Sequence, residues 1–265
     1  MNLYGQRWLN SGNAQAKVNG HVIEIERHTA KTLRNMNAEF SMQLEIGRFH
    51  EMPKKEGPIA IVAGGPSLKA SLQEVKHLDC PIMAAGSAHQ YLRENGIPLY
   101  YAAIYDPLPV QALYFKNPHL GCTYIVASTC DPSVFDALDD YVVKLWHPAG
   151  EVDSEILGDE AKFIVGGGST VTLRAIPLAA ILGFSDIHLY GFDSSFEADQ
   201  HAYNLNKGDP GLGEDIEVSV NGRKFTTTLQ LLAQAQQFMQ MKDRFPGMFR
   251  CSVHGDGMVA EMMRF

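Results

Sequence analysis

An α/β fold, with a Rossmann-like, doubly wound and mostly parallel sheet, is predicted by three observations. Short, nearly continuous apolar runs recur from Pro58 onward, stretches of helical character separate them, and several runs end in glycine, serine or aspartate. Strands that are apolar on both faces belong to parallel sheets covered by helices on two sides. Ligands of such sheets bind beyond the carboxyl ends of the strands, where the third observation places its polar residues.

Residues 1–55 read as a small N-terminal appendage and residues 56–265 as the Rossmann-like domain. In the appendage, "AKVNGHVIEIE" carries an Asn-Gly turn and a brief Ile23/Ile25 alternation, a weak hairpin signal. Leu33, Met36, Phe40 and Leu44 then recur at helical spacing, predicting an amphipathic helix. "HEMPKKEGP" is a polar linker. The predicted strands follow as "IAIVAG", "PIMAAGS", "YYAAIYD", "TYIVAST", "YVVKLWH", "KFIVGG" and "DIHLYGFD". "IEVSVNGRKFTTT" predicts a late β-hairpin turning at Asn221-Gly222. A helix carrying Leu231, Leu232, Ala235, Phe238 and Met239 on one face comes next, and "MFRCSV" reads as a last strand.

Composition narrows the function. A formal charge of −8 argues against general duplex nucleic-acid binding, which needs clustered Lys and Arg. Cys80, Cys122, Cys130 and Cys251 show no zinc spacing and read as free thiols of a reducing compartment. No apolar run approaches the ~20 residues of a membrane span, and "MNLYGQRWLNSGNAQAK" lacks the apolar core of a signal peptide. The expected location is the cytoplasm, with no membrane partner. Oligomeric state is not read from the sequence. The P-loop, G-x-G-x-x-G, H-E-x-x-H and G-x-S-x-G motifs are absent, as is an Asp-x-Asp pair.

Four strand ends carry chemistry. In "AGGPSL", Gly64 and Gly65 allow close backbone approach, Pro66 suits a first helical turn and Ser67 offers a hydroxyl, so the helix start can bind an anion or be a plain tight turn. "IYDP" ends in Asp106, placed for ribose hydroxyls, a metal, a substrate amine or a helix cap. In "GGGST", Gly166, Gly167 and Gly168 strip Cβ atoms from a turn, and Ser169 or Thr170 caps the next helix, giving a second anion cradle. In "YGFDSSFEADQHAY", Asp193 closes a strand while His201 and Tyr203 follow in a polar stretch. An imidazole there can take a proton from an attacking hydroxyl.

Taken in order, "GGPSL", "AAGSAHQYLRENGIPLYYAAIYDP" and "GGSTVTLRAIPLAAILGFSDIHLYGFD" resemble the MptE-like family over residues 57 to 203. That family includes archaeal 6-hydroxymethylpterin diphosphokinase and the central domain of motility accessory factors, and it is distantly similar to family 42 sialyltransferases. The resemblance implies a nucleotide held by Gly64, Gly65, Pro66, Ser67, Ser87, Gly167, Gly168, Ser169 and Thr170, with Asp106 and Asp193 at the cleft. "HAY" is similar to a His-Tyr pair of family 42, which implies His201 as base beside Asp193 and Tyr203 on the acceptor side. Gly64 stands where family 42 has Asn, and "AAGSAHQ" lacks that family's second nucleotide-facing Asn, which argues against CMP-sialic acid itself. The implied activity is transfer of a sugar from a nucleotide donor to a small acceptor without a metal. The alternatives are pyrophosphoryl transfer from ATP, with Mg²⁺ on Asp106, and a non-catalytic nucleotide-binding module.

Overall fold

In the computed structural model, residues 20–197, 200–202, 205–206, 213–244, 247 and 250–264 are described. The first described element is a helix, α1 (Gly20–Met42), and it runs through the segment where the Asn-Gly pair predicts a hairpin. That weak two-position alternation loses to the longer helical register of Leu33, Met36 and Phe40. Edge strand β1 (Gly47–Arg48) follows and pairs in parallel with β6 (Val142–Pro148), so this stretch extends the main sheet.

The remaining strands of the sheet fall within the predicted runs: β2 (Pro58–Val62), β3 (Ile82–Ala85), β4 (Tyr101–Ile104), β5 (Thr123–Ala127), β7 (Ile164–Val165), β8 (Asp186–Tyr190) and β13 (Arg250–Val253). Among the described residues the sheet has nine strands in the order β1-β6-β5-β4-β3-β2-β8-β13, with β7 pairing beside β6, and every one of these pairs is parallel. β2 to β6 step consecutively one way, whereas β8 returns to the other side of β2 and leads on to β13. The topological switch therefore lies between β2 and β8, paired from Pro58↔Asp186 to Val62↔Tyr190. Ile59, Ile61, Met83, Tyr124 and Trp146 are fully enclosed, because helices cover both faces.

The crossover helices are α2 (Leu68–Lys76), α3 (Ala88–Glu94), α4 (Pro132–Asp136), α5 (Ser154–Leu157) and α6 (Val171–Leu182). α6 is apolar almost all round, as a helix buried against β2, β3 and β4 must be. Beyond β8 come a ribbon of β9 (Gln200–Ala202) and β10 (Leu205–Asn206), then the late hairpin β11 (Asp215–Val220) with β12 (Arg223–Thr228), turning at Asn221-Gly222. Helices α7 (Leu229–Arg244) and α8 (Met258–Met262) complete the fold. Among the described residues no helix is long and apolar enough to cross a membrane.

α1 lies across strand ends. Its Asn37 amide donates to the carbonyls of Pro107 (3.3 Å) and Thr129 (2.8 Å), and Ser41 donates to Ser128 O at 3.1 Å. These buried bonds satisfy carbonyls where β4 and β5 stop. The amphipathic helix thereby roofs one half of the carboxyl rim.

Candidate functional site

The rim carries two glycine turns, and they differ in what fills them. The first, Ala63 to Ser67, joins β2 to α2 at the switch point. Its Gly65 amide donates to Gly191 O and its Ser67 amide to Asp193 Oδ2, both at 2.8 Å. A Cβ on Gly65 would stand 2.4 Å from Asp193 Oδ2 and from Gly191 O. This glycine is thus reserved for the protein's own packing. Asp193 is 3% exposed, and burial raises its carboxyl above the usual range while the Ser67 hydrogen bonds pull it down. Gly257 and Gly255 close the remaining sides: a Cβ at Gly257 would meet the Asp193 side chain at 2.5 Å, and one at Gly255 would meet Ser67 Oγ at 2.6 Å. Asp193 O also accepts the Val259 amide at 3.2 Å. The start of α2, expected to receive a ligand anion, thus holds the chain's own carboxylate. Gly64 is half-buried and Pro66 buried beside them.

The second turn, Gly166 to Thr170, joins β7 to α6. Its three glycines have three separate reasons. Gly167 has φ +140°, and a Cβ there would meet Arg174 Cδ at 2.8 Å; one on Gly168 would meet Gln237 Oε1 at 2.7 Å and the Leu173 side chain. A Cβ on Gly166 would meet nothing within 4 Å. Gly166 and Gly167 are exposed. Among the described residues no protein acceptor takes the amides of Gly166, Gly167 or Gly168. Ser169 donates its amide (2.9 Å) and hydroxyl (3.1 Å) to Gln237 Oε1, and Thr170 Oγ1 caps α6 while accepting from Gln234 Nε2 at 2.9 Å.

This turn meets the ends of β3 and β4. Val171 lies 3.2 Å from where a Gly86 Cβ would stand, next to half-buried Ser87 at the start of α3. Arg174 reaches the Tyr105 hydroxyl at 3.4 Å, next to half-buried Asp106, whose Oδ1 accepts the Leu108 amide at 3.1 Å. Tyr105 also donates to Glu151 Oε1 at 2.7 Å, and burial, aided by the Glu151 charge, pushes its hydroxyl up to about 12. It remains a donor at neutral pH. Ser87, Asp106 and Gly166–Thr170 therefore gather on one side of the rim, and Ser67 with Asp193 on the other.

The backbone of His201 lies in β9; its side chain falls outside the described residues, and so does Tyr203. Sequence reasoning missed the "HGDG" stretch after β13, the glutamines of α7, and Arg34, Glu151 and Arg174. The strand-end rule, applied to the last strand as to the others, points to Gly255 and Gly257.

The family described as 6-hydroxymethylpterin diphosphokinase MptE-like matches residues 30–199, well over half of the 265. The chain belongs to the MptE-like family. The match begins inside α1, so the helix roofing the rim is in part a family element. No curated protein matches the chain in sequence. Among solved structures it is similar to a MAf glycosyltransferase from Magnetospirillum magneticum AMB-1, at 17% identity and a TM-score of 0.67. That likeness covers 89% of this chain but 41% of the other, and at this identity it speaks for the shared fold.

Proposed function

We propose that the chain is a nucleotide-dependent transferase that moves a sugar from an activated nucleotide to a small acceptor. The observation that carries this reading is the Gly166–Gly168 turn, with Gly166 and Gly167 exposed, whose amides have no acceptor among the described residues, at the start of a twelve-residue helix. Oriented amides at such a helix start favour a phosphate, and they stabilise the charge a departing nucleotide develops. In this reading Ser87, Ser169 and Thr170 add hydroxyls, and Asp106 takes sugar hydroxyls. His201 deprotonates the acceptor, with Tyr203 on the acceptor side. Asp193 positions: it ties the β8 end to the start of α2. The likeness to a MAf glycosyltransferase agrees with sugar transfer.

The family description favours a second reading, pyrophosphoryl transfer from ATP, with Mg²⁺ on Asp106. Titrating the chain with nucleotides and sugar nucleotides, with and without EDTA, separates the two. Sugar transfer expects metal-independent binding of a sugar nucleotide. Strictly Mg²⁺-dependent ATP binding, abolished in Asp106→Asn, would replace it with the second reading. Under the first, His201→Ala should lower kcat at least ~10²-fold with donor affinity nearly intact. Wild-type turnover in that variant would remove His201 from the mechanism.

A further inference from the structure

Beneath the glycine turn lies a charged cluster that holding one phosphate does not require. Arg174, on the first turn of α6, is only 5% exposed. Its Nη1 donates to Val165 O at 3.1 Å, its Nη2 reaches Tyr105 Oη and Glu151 Oε1 at a long 3.4 Å each, and its Nε is buried with no acceptor among the described residues. Glu151 stands on the turn after β6 and collects every nearby donor: Arg34 of α1 at 2.6 Å, Tyr105 at 2.7 Å and Arg174. Two guanidiniums thus share the Glu151 carboxylate, and the more buried of them, Arg174, meets it only through a long contact. A buried guanidinium with incomplete hydrogen bonding is costly, and an arriving anion completes it. The cluster also touches the turn, since Arg174 Cδ lies 2.8 Å from the position of a Gly167 Cβ.

We propose that Arg174 and Arg34 form a subsite for a second oxyanion of the ligand, next to the phosphate on the Gly166–Gly168 amides, and that Glu151 holds this place until the ligand displaces it. The ligand class is a compound with two neighbouring oxyanions, either a diphosphate or a phosphate beside a carboxylate. Guanidinium groups suit both, through paired charge-assisted hydrogen bonds. The subsite rests on the nucleotide reading given above for its first phosphate, and a diphosphate would span from the exposed turn to the floor beneath it.

The test is calorimetric titration of the full chain with inorganic phosphate, pyrophosphate and phosphonoacetate. At least one two-anion probe should bind ~10-fold tighter than phosphate, and whichever leads identifies the second group. Arg34→Gln should erase that preference. Glu151→Gln, which removes the internal competitor's charge and keeps its shape, should tighten binding of the leading probe. Arg34 is chosen over Arg174 because Arg174 also anchors Val165, and melting temperatures check that both variants fold. Equal binding of all three probes would overturn the subsite, as would Glu151→Gln weakening binding alongside Arg34→Gln, the pattern of a merely structural cluster. Titration with AMP, GMP, CMP and UMP keeps the two ideas apart. Mononucleotide binding with no preference for a second oxyanion refutes the subsite alone. An Arg34-dependent preference with no mononucleotide binding supports the subsite and refutes the nucleotide reading.

Discussion

The two glycine turns on the carboxyl rim look alike in sequence, each a Gly-Gly pair leading through serine into a helix. In space they are opposites. The turn after β2 is filled by Asp193, which spends the Ser67 amide and leaves no room for a Cβ at Gly65. Among the described residues, the turn after β7 keeps three amides unclaimed and an open Gly166. Glycine in a strand-to-helix turn records that something comes close. Whether that something is the protein itself or a ligand is decided by residues far away in the chain.

The sharpest way to break this contrast is to add side chains to both turns. Gly65→Val drives atoms into Asp193 and the Gly191 carbonyl, and overpacking of this kind costs about 1–3 kcal/mol or more. Its melting temperature should fall by several degrees. Gly166→Val points into open space, so it should keep the wild-type melting temperature while lowering nucleotide affinity ~10-fold or more through steric exclusion. The contrast fails if both variants melt alike, or if Gly166→Val binds nucleotide normally.

A smaller effect concerns the carboxylate in the first turn. The folded state holds the Asp193 carboxyl above its ordinary value of 3.8. Between that value and the raised one, the folded chain keeps a proton that the unfolded chain has lost, so this group makes stability fall as pH rises through the window. Above the window the penalty is constant. Asp193→Asn keeps an acceptor for the Ser67 amide without the charge, so it should flatten that part of the pH–stability curve and melt at or above the wild-type temperature at neutral pH. A variant that melts well below wild type at neutral pH would mean that the ionised carboxylate stabilises the turn.

The smallest change expected is at Gln237, whose Oε1 takes both the amide and hydroxyl of Ser169. Gln237→Ala returns these donors to solvent at an exposed place, where a hydrogen bond contributes about 0.5–1.5 kcal/mol at most. Nucleotide affinity should stay level or rise by a few-fold, and a large loss would assign Gln237 to ligand contact.

Most of the sheet was legible because a parallel strand covered on both faces must be apolar throughout. Runs such as "IAIVAG" and "TYIVAST" therefore announce themselves. The late hairpin was legible for a local reason, the Asn221-Gly222 turn. The same dipeptide at Asn19-Gly20 misled, because there a helix-length register of apolar residues continues downstream. The second glycine turn was found by its strand-end position. Its floor was not, because Arg34, Glu151 and Arg174 meet only when α1, the turn after β6 and α6 are assembled. No periodicity encodes that meeting. The closure of Asp193 by Gly255 and Gly257 was hidden in the same way, by residues more than sixty positions downstream.

The roof that α1 makes over the strand ends has a consequence for biosynthesis. Asn37 bonds to Thr129 across 92 residues of chain, and Ser41 to Ser128 across 87. The helix leaves the ribosome well before the carbonyls it covers. At roughly 5–20 residues per second, that gap is about 5–18 s. Helices in proteins draw most of their stability from packing an apolar face, and the packing partners of this one come later in the chain. Until α4 exists, Phe40 lacks the Phe135 ring it packs against, so this apolar face of the nascent chain is one that a chaperone would cover.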